Sequence, residues 1–148
     1  MPSINQSALV LFSAQQMFDI VADIEAYPRF LKWCKSTQIL DKTGNEVVAR
    51  VDIHYKGIQQ SFTTKNTNIV PESIEMGLYD NQNAFEHMQG GWQFFSLEMD
   101  DKKACKVEFH LDFSMKNKIA STIFKTVFQQ IINSQVDGFV KRAEELYA

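Results

Sequence analysis

Three histidines, two cysteines and a scatter of carboxylates are the side chains with the widest chemical repertoire in this 148-residue chain. His54 follows Asp52 by two positions, and His110 sits between Glu108 and Asp112 at the same spacing. Alternate residues of a strand share a face, so each histidine would stand beside its carboxylates. An acid–base pair or a metal centre could use such a set. A metal, however, needs three or more converging ligands and outer groups to orient them. Neither set supplies these, and both lie on the polar side of their strands, so a solvated outer face is expected. His87 stands alone in a segment read as an irregular loop. Cys34 and Cys105 are far apart and form no CxxC pair. Buried small apolar groups in a reducing cytosol are expected there, rather than a disulfide or a zinc site. No G-x-S-x-G, P-loop, H-E-x-x-H or dinucleotide fingerprint occurs. No catalytic residue and no metal ligand is assigned.

The apolar residues are more informative. Hydrophobic side chains make up 45% of the chain, and twelve phenylalanines are its one compositional excess. Six glycines and three prolines are too few for a linker-rich chain, and the apolar content excludes wholesale disorder. The net charge of −3 provides no basic face for neutralising phosphates, so no DNA partner is expected. Lys116, Lys118, Lys125 and Lys141-Arg142, interspersed with Glu144 and Glu145, read as ordinary surface charge. No stretch approaches the roughly 18 apolar residues of a membrane span. The first ten residues have no Lys or Arg ahead of their apolar positions and read as neither signal nor transit peptide. No repeat or shift in composition divides the chain, so one domain over residues 1–148 is expected.

The elements that must position these residues follow from periodicity. Ile4 to Phe12 reads as a strand, and Ser13 with Gln16 forms a capping-box pattern for a helix carrying Met17, Ile20 and Val21. Tyr27-Pro28 disfavours helix at Tyr27 and starts a second, short one. Alternation then marks strands at Gln38–Leu40, Val47–Tyr55, Gln60–Ile69, Ile74–Leu78, around Trp92–Phe94, and Cys105–Phe113. Gly57 suits a turn, and Gly90-Gly91 a bulge or close backbone approach. A single helix is expected from Lys118 to Tyr147, with rows Ile119, Ile123, Val127, Ile131 and Phe124, Phe128, Ile132, and a kink or tight contact at Gly138. The sum is an α+β helix-grip fold: a curved antiparallel sheet of about six to seven strands wrapped on a long C-terminal helix, with two short helices after the first strand. A straight helix diverges from a curved sheet, which leaves room for a cavity.

The segment Asp23-Ile-Glu-Ala-Tyr27-Pro28-Arg-Phe30-Leu31-Lys-Trp33-Cys34 resembles the D-x-E-x-Y-P-x-F-L-P-W-C signature of the coenzyme Q-binding, START-like family, whose bacterial branch is described as ribosome-association toxins. Phe62–Thr64, Gly90-Gly91-Trp92-Gln93-Phe94 and the ending from Phe139 to Tyr147 extend the resemblance over nearly the whole chain. Lys32 stands where the family has Pro, and Asn83-Ala84-Phe85 where it has Gly-Pro-Phe.

The resemblance implies a non-enzymatic START-like domain that binds ubiquinone or a related isoprenoid lipid in support of respiratory electron transport, with no cofactor required beyond that ligand. It implies a cytoplasmic protein, peripheral to the inner membrane during transient membrane contact. The alternative it implies is a toxin-like factor that binds the large ribosomal subunit and blocks subunit joining. Phe30, Leu31, Trp33, Val51, Ile53, Phe62, Met76, Phe94, Val107, Phe109, Leu111, Phe124, Phe128 and Ile132 are the candidate ligand-binding residues. Pattern alone leaves open whether they line a pocket or fill a core, and whether the Tyr27–Trp33 motif plugs the sheet or docks a partner. A polyketide cyclase on the same scaffold would need inward titratable groups, yet the inward positions are almost all apolar.

Overall fold

The structure, a computed structural model, describes residues 3–79, 85–99, 102–116 and 120–148. Strand β1 (Ser3–Val10) leads into α1 (Ala14–Ala22), a 3-10 turn (Ile24–Ala26) and α2 (Tyr27–Phe30). Six strands follow, β2 (Cys34–Thr43), β3 (Glu46–Tyr55), β4 (Ile58–Ile69), β5 (Ser73–Leu78), β6 (Phe85–Met99) and β7 (Lys102–Met115), and then α3 (Ala120–Asn133) and α4 (Gln135–Tyr147). The described strands form one antiparallel seven-stranded sheet in the order β1-β7-β6-β5-β4-β3-β2. This is the expected START-like helix-grip arrangement.

Local chemistry accounts for most element boundaries. Ser13 Oγ accepts from Gln16 N–H at 3.1 Å, and Gln16 Oε1 accepts from Ser13 N–H at 2.8 Å, the capping box anticipated for α1. β3 turns into β4 through Lys56-Gly57, both at positive φ, the two-residue primed turn that matches strand twist. On β7, Cys105, Val107, Phe109, Leu111 and Phe113 are buried while Lys106 and His110 are exposed, so the period of two is followed to the letter. Gly90 and Gly91 mark close approach and not a bulge, because pairing runs on unbroken through both. A Cβ at Gly90 would lie 2.1 Å from the His110 carbonyl oxygen, and one at Gly91 2.3 Å from that of Ile74.

Four local expectations are revised. Tyr27 is helical despite the proline after it, because its buried hydroxyl donates to the Val21 carbonyl and its ring packs on Phe139 at 5.2 Å. Tertiary contact outweighs the pre-proline bias there. β6 begins at Phe85, which places His87 on a strand and not in a loop. The C-terminal helix is two helices, broken at Ser134 (φ −96°, ψ 0°) and not at Gly138. Ser134 Oγ donates back to the Ile131 carbonyl at 2.8 Å, a local bond that competes with helix continuation. Gly138 instead provides a tight contact, since a Cβ there would sit 2.9 Å from Leu31 Cδ2. Finally, Ile123 is 64% exposed, so the buried stripe runs Phe124, Val127, Phe128, Ile131, Ile132, Val136, Phe139 and Ala143. Ile119 and Lys118, like Asn83 and Ala84, lie outside the described residues.

The core lies between the concave face of the sheet and the α3–α4 pair, with α1 packed over the β6 end through Phe18 against Phe94 at 5.9 Å. Because the long helix bends at Ser134, both halves stay against the curved sheet.

Candidate functional site

Two aromatic groups fill most of this interior. Near α3, Phe128 meets Phe85 at 4.9 Å, Phe113 at 5.0 Å, Phe124 at 5.8 Å and Phe62 at 6.3 Å between ring centroids. Near α4, Phe139 meets Trp92 at 5.1 Å, Tyr27 at 5.2 Å and Phe30 at 5.5 Å, and Trp92 lies 4.6 Å from Phe109. Most of these pairs are edge-on, the arrangement that ring quadrupoles favour.

Between the two groups a void of about 50 Å³ remains. Its walls come from β3 (Ala49, Val51), β4 (Phe62, Thr64, Asn66), the β5–β7 centre (Met76, Met88, Trp92, Phe109, Leu111), the motif segment (Ile24, Tyr27, Trp33) and the helix break (Phe128, Ile131, Ile132, Gln135). Pockets that enclose drug-sized ligands hold roughly 300–1,000 Å³, so this void is too small for one as it stands.

Two wall residues are unusual. Trp33 Nε1 and Gln135 Oε1 are buried and have no hydrogen-bond partner among the described residues, in residues that are each 8% exposed. The Trp33 backbone is fixed, its carbonyl accepting from His54 N–H at 3.0 Å, while the indole N–H has no acceptor among the described residues. Gln135 opens α4 immediately after the Ser134 break, within an otherwise apolar stripe. Nearby on the wall, Thr64 Oγ1 donates to Asn66 Oδ1 at 3.0 Å, and both residues are buried.

Of the candidate ligand-binding residues, the structure gathers Trp33, Val51, Phe62, Met76, Phe109, Leu111, Phe128 and Ile132 around the void. It places Ile53, Phe94, Val107 and Phe124 in the surrounding core, buried but not on the wall. Leu31 is buried against Gly138, and Phe30 is half-buried beneath the Arg142 guanidinium, 5.2 Å from its ring. Tyr27, Leu31 and Trp33 all turn inward, so the motif closes one end of the sheet. Ile24, Tyr27, Ala49, Thr64, Asn66, Met88, Trp92, Ile131 and Gln135 also border the void and were not among the candidate ligand-binding residues. Thr64 and Asn66 continue the inward register of Phe62, and Gln135 interrupts the helical stripe, so the signal was a polar residue at an apolar position.

Among the described residues Tyr27 is the one ionisable side chain on the void wall, and burial raises its hydroxyl so far that it stays protonated. Burial, helped by the nearby Asp52 charge, pushes the Cys34 thiol up to about 12, and burial alone pushes Cys105 up to about 11. His54 and His110 are exposed on the outer face. Among the described residues no three His, Cys, Asp or Glu side chains converge as metal ligands. Asp52 is bound in a cross-strand network instead, accepting from Ser36 Oγ at 2.6 Å, from Ser61 Oγ and from Arg50 Nε at 3.0 Å. Partial burial raises its carboxyl, and these hydrogen bonds more than offset that, leaving it below the ordinary carboxylate value. An open groove of about 710 Å³ also crosses the outer face over Gly77 and Gly90, with Lys65, Glu75, Glu86, His87 and His110 along it.

The family described as "Polyketide cyclase / dehydrase and lipid transport" matches residues 10–140. The chain belongs to that family. It is 40% identical over 148 residues, all of this chain and 90% of the other, to the protein named Ribosome association toxin RatA of Escherichia coli (strain K12). It is 23% identical to the Coenzyme Q-binding protein COQ10 homolog B of Xenopus laevis, covering 97% of this chain and 58% of that one. Among solved structures, an aromatase/cyclase from a Streptomyces species superposes with a TM-score of 0.82 at 15% identity, over 97% of this chain and 93% of that chain. That last likeness is one of fold. Among the described residues no helix is long and apolar enough to cross a membrane.

Proposed function

We propose that this domain binds, without catalysis, a hydrophobic ligand that carries a polar head, an isoprenoid quinone of the ubiquinone type, between its sheet and the α3–α4 pair. The reading rests on one observation: an apolar chamber at the centre of the fold is bordered by Trp33 and Gln135, whose buried Nε1 and Oε1 have no partner among the described residues. Apolar burial would supply the affinity, at about 0.8 kcal/mol for each CH₂ removed from water. The family's lipid-transport description and the relative named for coenzyme Q binding support it. At about 50 Å³ the void is smaller than such a ligand needs. Loading requires α3 to part from the sheet about the Ser134 break, taking Phe124 and Phe128 with it. Such a protein would work in the cytoplasm and at the inner membrane face, supplying or sequestering quinone for respiratory electron transport. Organic extraction of protein from its native host, followed by mass spectrometry, should recover a quinone. Recovery of no lipid, with no uptake of added quinone, refutes the reading.

A second reading, binding the large ribosomal subunit and blocking subunit joining, is favoured by the name of the relatives that are 40% identical and by one surface feature. Leu9 and Phe95 flank Lys106 in register on the outer face and are 68% and 44% exposed. Lys106 is itself paired with Glu108 at 3.0 Å, so the strip offers a partner apolar contact more than free charge. Co-sedimentation with the large subunit should be lost in a Leu9→Glu, Phe95→Glu double variant. Wild-type protein remaining at the top of the gradient excludes this role.

A further inference from the structure

The outer face of the sheet, turned away from the chamber, is polar where β1, β7 and β6 run side by side. Its rows there read Ser7–Glu108–Gln93 and Asn5–His110–Gly91. At the end where β6 returns into β7 the chemistry changes. One row is Leu9–Lys106–Phe95, and the next pairs Ala104 with Leu97, with Leu11 following just past the end of β1. Leu9, Leu11, Phe95 and Leu97 are all exposed. Single exposed leucines are ordinary, but two adjacent apolar rows make a contiguous patch, and such patches mark interaction surfaces.

A nucleic acid would need free cations here, and Lys106 is paired with Glu108. A lipid surface on this patch would lie on the far side of the sheet from the chamber, so contact there brings an apolar ligand no nearer to it. A protein surface remains, and the two rows match one another. In a twofold pair, a contact of residue i with j is repeated as j with i. With the axis running across the strands at the level of Cys105, the Leu9–Lys106–Phe95 row lies over the Leu11–Ala104–Leu97 row of the second copy. Leu9 then faces Leu11 of that copy, Phe95 faces its Leu97, and the Lys106 stem crosses its small Ala104. Each Lys106 keeps its own Glu108, so no unpaired charge is buried. We propose that this patch is a self-association surface, on which two copies of the chain stack outer face to outer face, about 10 Å apart, as a twofold dimer. Four exposed side chains fall short of the roughly 800 Å² per partner of a standard interface, so the dimer is transient. The inference goes beyond both readings above: it needs no ligand, and a copy held on a ribosomal subunit by the same strip would be a monomer.

The test is sedimentation velocity on purified protein free of lipid and ribosomes, from about 5 µM to about 500 µM, the span in which transient interfaces associate. The sedimentation coefficient should rise with concentration toward that of a dimer. The Leu9→Glu, Phe95→Glu double variant should stay at the monomer value throughout. Both side chains are exposed, so that variant should still melt within about 2 °C of wild type, which separates loss of association from loss of folding. A short bismaleimide then checks the register. Leu9→Cys protein mixed with Leu11→Cys protein should cross-link between the two in preference to either with itself, while the buried Cys34 and Cys105 stay unmodified. Wild type that remains monomeric up to about 500 µM overturns the proposal, whether or not it floats with phosphatidylcholine vesicles or sediments with the large subunit. So does a dimer that survives the double variant, or cross-linking with no preference for the mixed pair. Recovery of quinone, or of none, by organic extraction bears on the ligand-binding reading and leaves this one standing.

Discussion

Truncation of Phe128 to alanine tests whether the interior is as closed as it stands in the structure. The side chain is 2% exposed and its ring lies within 6.3 Å, centroid to centroid, of four other rings. Phe→Ala in a packed core costs about 3–5 kcal/mol, from lost transfer energy and the cavity left behind. Aromatic pairs add about 0.5–1.5 kcal/mol each beyond area, which places this site toward the upper end of that range. Phe85, Phe113 and Phe62 are held by strands and cannot collapse into the gap. The adjoining void of about 50 Å³ is too small to have already relieved the packing. The measurement is urea unfolding of wild type and Phe128→Ala, both stripped of lipid, read as a midpoint shift at unchanged slope. For a chain of this size the same loss would lower Tm by roughly 6–20 °C. A loss under about 1.5 kcal/mol, half the low end of the packed-core range, would mean the ring already faces open space. The interior would then be an open pocket at rest, and the argument that α3 must move to load a ligand would fail.

Three further outcomes follow from the same coordinates. Gly90→Ala drives a Cβ to 2.1 Å from a backbone oxygen that cannot rotate away, so it should cost at least about 3 kcal/mol and reduce soluble yield; a melt within 2 °C or so of wild type would show that the sheet can spread there. With thiols raised to about 12 and 11, Cys34 and Cys105 should resist alkylation at pH 8 in the native protein and react fully in denaturant, as mass spectrometry would show. The Asp52 carboxyl is held below its unfolded value, so its contribution is present above the ordinary carboxylate range and is lost as pH falls through the lowered folded value. Asp52→Asn should accordingly cost about 1 kcal/mol at pH 7, screening included, and flatten the acid limb of stability against pH; an unchanged acid limb would discount the network.

The sheet and its helices were legible because their signals are local. Strict alternation from Cys105 to Phe113, the Ser13–Gln16 box and the Lys56-Gly57 turn are each set within a few residues, and the structure repeats them. Half of the void wall was legible for the same reason, since inward positions on a strand can be counted. Phe94 and Val107 show the limit of such counting. They face inward as expected, yet α1 and its neighbours cover them, and no periodicity tells a covered inward residue from one that borders empty space.

The sequence by itself determined most of the apolar side chains that go inside, the order of the strands along the chain and the short helices after the first strand. Those follow from periodicity, capping and residue type, which act over one turn or one hairpin. Only the tertiary structure decided that the long helix breaks at Ser134, that the bend keeps it against the sheet and closes the interior to about 50 Å³, and that Trp33 and Gln135 meet at the void, Nε1 and Oε1 having no partner among the described residues. Trp33 and Gln135 are 102 positions apart, and whether a buried N–H finds an acceptor depends on every group the fold brings near it. Hydrogen bonding at that range is set by packing, and packing is not written in any one segment of the chain.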